Sequence, residues 1–154
     1  MIYSHYNDAP WDSNRWPNFH PSEFASPDTG QLYWDEVFFD KLQALRSAIG
    51  KPIRINSAHR SYRHNIAVGG AVRSMHKKMA VDISLRGHNR FHILAAARAV
   101  GFTGFGYYST WLHLDNGRKR FWFSGDYARN LWTPNSAEKK SIQKNGIGGS
   151  HGDS

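Results

Sequence analysis

Ser74-Met75-His76-Lys77-Lys78-Met79-Ala80-Val81-Asp82-Ile83, followed later by Trp111-Leu112-His113-Leu114-Asp115, are the stretches on which the reading of this chain turns. In the first, Val81 and Ile83 alternate with Ala80 and Asp82, a period of two that sends the apolar pair to one face of a strand. In the second, Leu112 and Leu114 face one way, while Trp111, His113 and Asp115 face the other. An ionised carboxylate on the polar face of a core strand is costly unless it is paired or ligates a metal. His76, Asp82 and His113 together offer two imidazoles and a carboxylate. Zinc accepts such N and O donors, and three protein ligands leave one position for water. Taken singly, a strand histidine is more commonly a hydrogen-bonded residue, and Asp82 could pair with an arginine. The three together favour a metal and metal-assisted hydrolysis.

Outward from these stretches the chain reads as mixed α and β. Trp34, Val37, Phe38, Leu42, Leu45 and Ile49 recur at three- and four-residue steps and predict a helix, with Asp35 and Glu36 in its first turn and Gly50 and Pro52 as its stop. Ile53 and Ile55 alternate with Arg54 and Asn56, a short strand. Residues 58–78 are polar and glycine-containing and predict a long functional loop. A second helix is expected from about Asn89 to Val100, with Phe91, Leu94, Ala95 and Arg98 near one side and Gly101 as its stop. Asn116-Gly117, between two alternating runs, predicts a hairpin joining 111–115 to 118–123. Residues 1–33 read as an irregular arm anchored by Trp11, Trp16, Phe19 and Phe24, and residues 135–154 as a flexible Gly/Ser/Lys-rich tail. Residues 1–134 are expected to form a single domain.

The bulk properties narrow the function classes. At 154 residues, with 40% hydrophobic and 14% aromatic residues, the chain can bury a core without staples, so a disordered binder is a poor description. With no cysteine, disulfides and thiolate metal sites are excluded. No apolar run is long enough for a membrane span. MIYSHYNDAPWDSN has no basic head followed by an apolar stretch, so it does not read as a standard secretory signal. Twenty Lys and Arg against twelve Asp and Glu give +8, which favours an anionic partner such as nucleic acid, an acidic membrane surface or a cell-wall polymer. Much of that charge is scattered, as on an ordinary solvated surface. No nucleic-acid partner is expected, since neither a helix-turn-helix nor a His-Asn-His finger is visible.

The motif series resembles the zinc D-alanyl-D-alanine carboxypeptidase and endolysin family, which shares a fold with the hedgehog signalling domain. That family's pattern is S-x-H-x-x-G-x-A-x-D, with a later H-x-D in many members. Ser74-Met75-His76 and Ala80-Val81-Asp82 match the two ends of the first, and His113-Leu114-Asp115 the second. Upstream matches are Asn18-Phe19, Ser22-Glu23-Phe24, Leu42 to Arg46, Gly50-Lys51-Pro52, Ser57-Ala58-His59-Arg60-Ser61, and His64-Asn65 with Ala67 to Ala71; the likeness runs over residues 18–123. The resemblance implies an α+β fold, with a central antiparallel sheet carrying ligands on one face and helices on the other. It implies Zn2+ held by His76, Asp82 and His113, and a substrate contact by Arg60, joined by Ser74; the Arg60 guanidinium could grip a carboxylate of the peptide or act catalytically by polarising the scissile carbonyl. The expected partner is a peptidoglycan stem peptide. A monomer is expected, although the sequence does not fix the oligomeric state.

Two departures stand out. Five residues separate His76 from Asp82, where the family pattern has six, and the glycine of that loop is missing. Many members place a His, Glu or Asp two or three residues before the last ligand as general base; here those positions hold Trp111 and Thr110. The candidates for proton transfer are then Asp115, which could instead orient His113, and His59, which replaces the family's usual Tyr. The leading expectation is a zinc peptidase cutting an amide bond in peptidoglycan stem peptides, as a D,D-carboxypeptidase or an endolysin-type endopeptidase. The alternative is a catalytically inactive wall-binding or virion structural module. Small size and basic charge suit a protein made in the cytoplasm that acts on the wall in phage lysis or from a virion.

Overall fold

The order of elements follows from where apolar period, caps and glycines fall. The structure, a computed structural model, describes residues 1–60 and 79–134, and of His59 and Arg60 the backbone alone. Strands β1 (Ile2–Tyr3) and β2 (Leu32–Tyr33) pair antiparallel and close off the N-terminal arm. Between them lie two single 3-10 turns, Tyr6–Asp8 and Pro21–Phe24, the latter capped reciprocally by His20 and Glu23. The arm carries its anchors inward: Trp16, Phe19 and Phe24 are buried, and Trp11 packs against Trp16, Phe24 and Phe39.

Helix α1 (Glu36–Ile49) starts where the Asp35 side chain accepts the Phe38 N–H, and it ends on Gly50 at φ 71, a left-handed stop. Its buried side chains are Phe38, Phe39, Leu42 and Leu45, whereas Val37 is 59% exposed. The predicted face is therefore shifted. Trp34 precedes the helix, and Phe39 is drawn in by the arm's Trp11, Trp16 and Phe24. Helix α2 (Arg90–Ala99) is capped by Asn89, which accepts from Phe91 and His92 N–H, and Gly101 turns away at φ 106.

Five strands form the main sheet: β3 (Ile55–Arg60), β4 (Met79–Ser84), β5 (Gly104–Tyr107), β6 (Trp111–Asp115) and β7 (Arg120–Phe123), in the order β3-β4-β6-β5-β7. Three neighbouring pairs are antiparallel; β5 and β7 run parallel, so the sheet is mixed at that edge. β3 continues through Ala58, His59 and Arg60, residues that the sequence reading gave to the loop. Helix α3 (Gly125–Leu131) follows β7 and sets Ala128 against the core.

One face of the sheet makes the core. Val81 and Ile83 from β4 and Leu112 and Leu114 from β6 are fully buried and join Phe38, Leu42 and Leu45 of α1 and Ile93 and Ala97 of α2 in a single cluster. Although the sheet expected to be antiparallel is mixed, because β7 joins β5 in parallel, the α+β class and its sheet-and-helix layering are as expected. The hairpin is not. Gly117 does not take the positive φ that a tight hairpin would require, and β5 lies between β6 and β7. Among the described residues, no helix is long and apolar enough to cross a membrane. The predicted loop residues 61–78 and the predicted tail 135–154 lie outside the described residues.

Candidate metal centre

On the face opposite the core, strand register sets two rows of residues across the sheet. In one row Ser57 pairs with Asp82, Asp82 with His113, His113 with Gly106 and Gly106 with Trp122. In the next, His59 pairs with Ala80, Ala80 with Asp115, Asp115 with Gly104 and Gly104 with Arg120. The alternation of β4 and β6 that sends Val81, Ile83, Leu112 and Leu114 inward therefore brings Asp82, His113 and Asp115 together on this side. Arg60 is in register with Met79.

His113 stands between two carboxylates. Its Nδ1 lies 3.1 Å from Asp82 Oδ1 and its Nε2 lies 2.6 Å from Asp115 Oδ2. The Ser57 hydroxyl donates to the other oxygen of Asp82 at 3.0 Å. A neutral imidazole has one N–H. With the Nε2 proton given to Asp115, the Nδ1 lone pair and Asp82 Oδ1 face each other, and a second proton or a cation must lie between them. This donor pair, a nitrogen and an oxygen on adjacent strands with the far nitrogen tied to a carboxylate, fits a zinc site. Among the described residues, no group of three or more His, Cys, Asp or Glu is placed to hold an ion. The third predicted ligand, His76, and the predicted substrate residue Ser74 lie outside those residues, as do the side chains of His59 and Arg60.

Asp115 is fully buried, and four N–H groups occupy its oxygens. Oδ1 accepts from Gly117 N and Arg120 Nη1, both at 2.8 Å; Oδ2 accepts from Arg120 Nη2 at 2.7 Å and from His113 Nε2. A carboxylate has about four lone-pair sites, so this one is saturated. Burial pushes its pKa upward, but the hydrogen bonds from His113 and Arg120 outweigh that and hold the carboxyl well below the usual carboxylate range. For His113, burial opposes the charged form, yet the hydrogen bonds to Asp115 and then Asp82 prevail and raise its pKa above the ordinary imidazole value.

Arg120 and Trp122 reach this site from β7 by crossing over β5, and two glycines make the crossing possible. A Cβ on Gly104 would collide with Asp115 Oδ1 and Arg120 Nη1; one on Gly106 would collide with the Trp122 ring and come within 2.9 Å of His113 Cβ. Only hydrogen at both positions leaves the trough in which these side chains lie. Trp122 packs its ring 4.9 Å from that of His113, the Arg120 guanidinium lies 5.3 Å from the Trp122 ring centroid, and the indole N–H donates to Tyr108 O–H at 3.2 Å. Tyr108 in turn stacks on Trp111 at 4.5 Å. The sequence reading singles out neither Arg120 and Trp122 nor the two glycines. Their signal was present, as Gly-x-Gly in one strand and Arg-x-Trp in another share the period of two.

Comparison with known protein families matches residues 23–115 to the family described as Peptidase M15. Neither the curated proteins nor the solved structures returned a match.

Proposed function

The chain belongs to the peptidase M15 family, and from that premise we propose that it is a zinc metallopeptidase hydrolysing an amide bond in the stem peptides of peptidoglycan. The single observation that carries this reading is the convergence of His113 Nδ1 and Asp82 Oδ1, with the far side of the imidazole tied to a buried carboxylate. Peptidases of this family are generally zinc-dependent. Asp82, His113 and, from outside the described residues, His76 would hold the ion. When bound, zinc supplies a Lewis acid for the scissile carbonyl and for water.

The chain's own residues divide the remaining work. Ser57 fixes the Asp82 carboxylate by a hydrogen bond. Asp115 holds the His113 ring with Nε2 protonated, which leaves Nδ1 as a donor lone pair. Because its four acceptor sites are taken and its pKa is held low, Asp115 is assigned positioning and not proton abstraction. Proton transfer falls to His59, which shares the register row of Asp115. Arg60 and Ser74 would grip the peptide, a guanidinium being suited to a carboxylate by its forked geometry. The charge of +8 suits an anionic wall polymer, and action in phage lysis or from a particle is consistent with it.

A second reading, a wall-binding module without turnover, draws on the five-residue His76–Asp82 spacing and on Trp111 and Thr110 at the family's usual base positions. One experiment separates the two. Elemental analysis of the untagged protein should give one zinc per chain, lost in His76→Ala, Asp82→Ala and His113→Ala, and the zinc form should release amino groups from purified peptidoglycan. Zinc without release across several wall chemistries supports the module; no metal in the protein, even after addition of zinc salts, ends the peptidase reading.

A further inference from the structure

We propose that Arg120 is a positioning residue for the metal site: reaching across the Gly104–Gly106 trough, it clamps Asp115 so that His113 is held in one orientation and one tautomer. The inference rests on the reading of His113 as a metal ligand and adds to it a device contributed by a strand outside the matched residues 23–115.

Four observations converge. Arg120 meets both oxygens of Asp115, at 2.8 and 2.7 Å, in the bidentate geometry that fixes a carboxylate plane as well as its charge. Asp115 is fully buried and the Arg120 side chain is 25% exposed, so the pair is largely withdrawn from water. The same Oδ2 that takes Arg120 Nη2 takes His113 Nε2, so rotation of the carboxylate would carry the His113 contact with it. The backbone of β5 has given up, at Gly104, the side chain that would block this path. A surface ion pair needs no such trough.

Without Arg120, Asp115 keeps, among the described residues, only Gly117 N–H and His113 as partners, and its plane can turn about the Cβ–Cγ bond. His113 then samples both tautomers, and the fraction with a proton on Nδ1 cannot ligate. A lysine restores charge but not the fork, so it should recover part of the effect. Residues that orient a metal-bound histidine are typically worth 10–100-fold in metal affinity.

The test measures zinc affinity of the full chain by competition with a chromophoric chelator, together with the 15N shifts of the His113 ring. Arg120→Gln should weaken zinc roughly 10–100-fold and, in the metal-free protein at a pH where the ring is neutral, replace the single Nε2–H tautomer by a mixture, with Arg120→Lys between it and the parent. Wild-type affinity and an unchanged tautomer in Arg120→Gln would overturn the inference while leaving the zinc reading intact. If the parent chain binds no zinc, the zinc reading fails and the inference falls with it. Should Arg120→Gln fail to fold, Arg120→Lys carries the decision: parental affinity in that variant overturns the proposal, and weakened affinity with the fold retained supports it.

Discussion

Replacing Asp115 by Asn separates an orienting role from a proton-abstracting one, because the substitution keeps shape while it removes the charge and changes which atoms donate. The amide has one oxygen and one NH2 to fill places now held by two oxygens. If its oxygen stays at the Oδ1 place it still accepts from Gly117 N and Arg120 Nη1, and its NH2 then faces Arg120 Nη2 and His113 Nε2. The flipped amide would set its NH2 against two donors, Gly117 N–H and Nη1, and is the worse choice. In the better orientation one donor–donor clash remains with Nη2, and His113 Nε2 must become an acceptor. The ring proton moves to Nδ1, the atom that faces Asp82 at 3.1 Å. Removing one partner of a buried ion pair costs about 3–5 kcal/mol. Here the guanidinium is 25% exposed and keeps one of its two bonds, so a loss of about 2 kcal/mol in urea unfolding is expected. Zinc affinity should fall about 10–100-fold, equivalent to ~1.4–2.7 kcal/mol, because the wrong tautomer is presented. Tryptophan fluorescence follows the unfolding, and chelator competition gives the affinity. A variant that binds zinc as the parent does, yet has lost all turnover, would refute the tautomer reasoning and return Asp115 to the role of base.

Other outcomes follow from the same contacts. Gly106→Ala places a methyl group against the Trp122 ring and near His113 Cβ, and should cost about 1–3 kcal/mol by overpacking; unchanged urea unfolding would mean that the trough is not needed. Gly50→Ala meets no neighbour within 4 Å, so its cost, about 1–2 kcal/mol, would come from the positive φ of 71 alone, and a calorimetric scan with no fall in Tm would contradict that. Acid should loosen the N-terminal arm. Asp40 is held below its ordinary pKa chiefly by the hydrogen bond from Arg15, and Glu36 by those from Trp34 and Arg15, so their contribution is present above the unfolded value of about 4 and lost as pH falls through the lower folded values. Because these groups are largely exposed the effect is small, and Asp40→Asn should flatten the acid limb of a Trp16 fluorescence titration; an identical limb in that variant would assign the transition elsewhere.

How far the sequence could be read depended on whether a signal was local. Caps and stops need only neighbouring residues, and Asp35, Gly50, Asn89 and Gly101 mark α1 and α2 within a residue or two of where they lie. Faces set by remote packing were harder. Phe39 is buried because the arm's tryptophans lie over it, and nothing within the helical period announces that. The same limit explains the hairpin. Asn-Gly is a local turn signal, but the Asp115 carboxylate takes the Gly117 N–H, and β7 finds its partner in β5, outside the pair that the turn would join.

The site shows the same division, and shows why its supporting residues escaped notice. Asp82 and His113 could be singled out one strand at a time, since each is a polar residue among buried neighbours. Arg120 and Trp122 have no such contrast along β7, where the neighbouring Phe121 is 48% exposed and the strand reads as a basic, aromatic edge. Their meaning lies across the sheet, in the glycines opposite them. A glycine in a strand weakens it through backbone entropy and the lack of a side chain to pack. Two in a four-residue strand, both on the same face, are an expensive arrangement unless something else must use the space. What uses it here is a guanidinium and an indole on their way to Asp115 and His113. Strand pairs that alternate Gly with core residues opposite Arg or Trp at the same period are therefore the pattern to seek when a buried carboxylate behind a metal-binding histidine lacks a local partner.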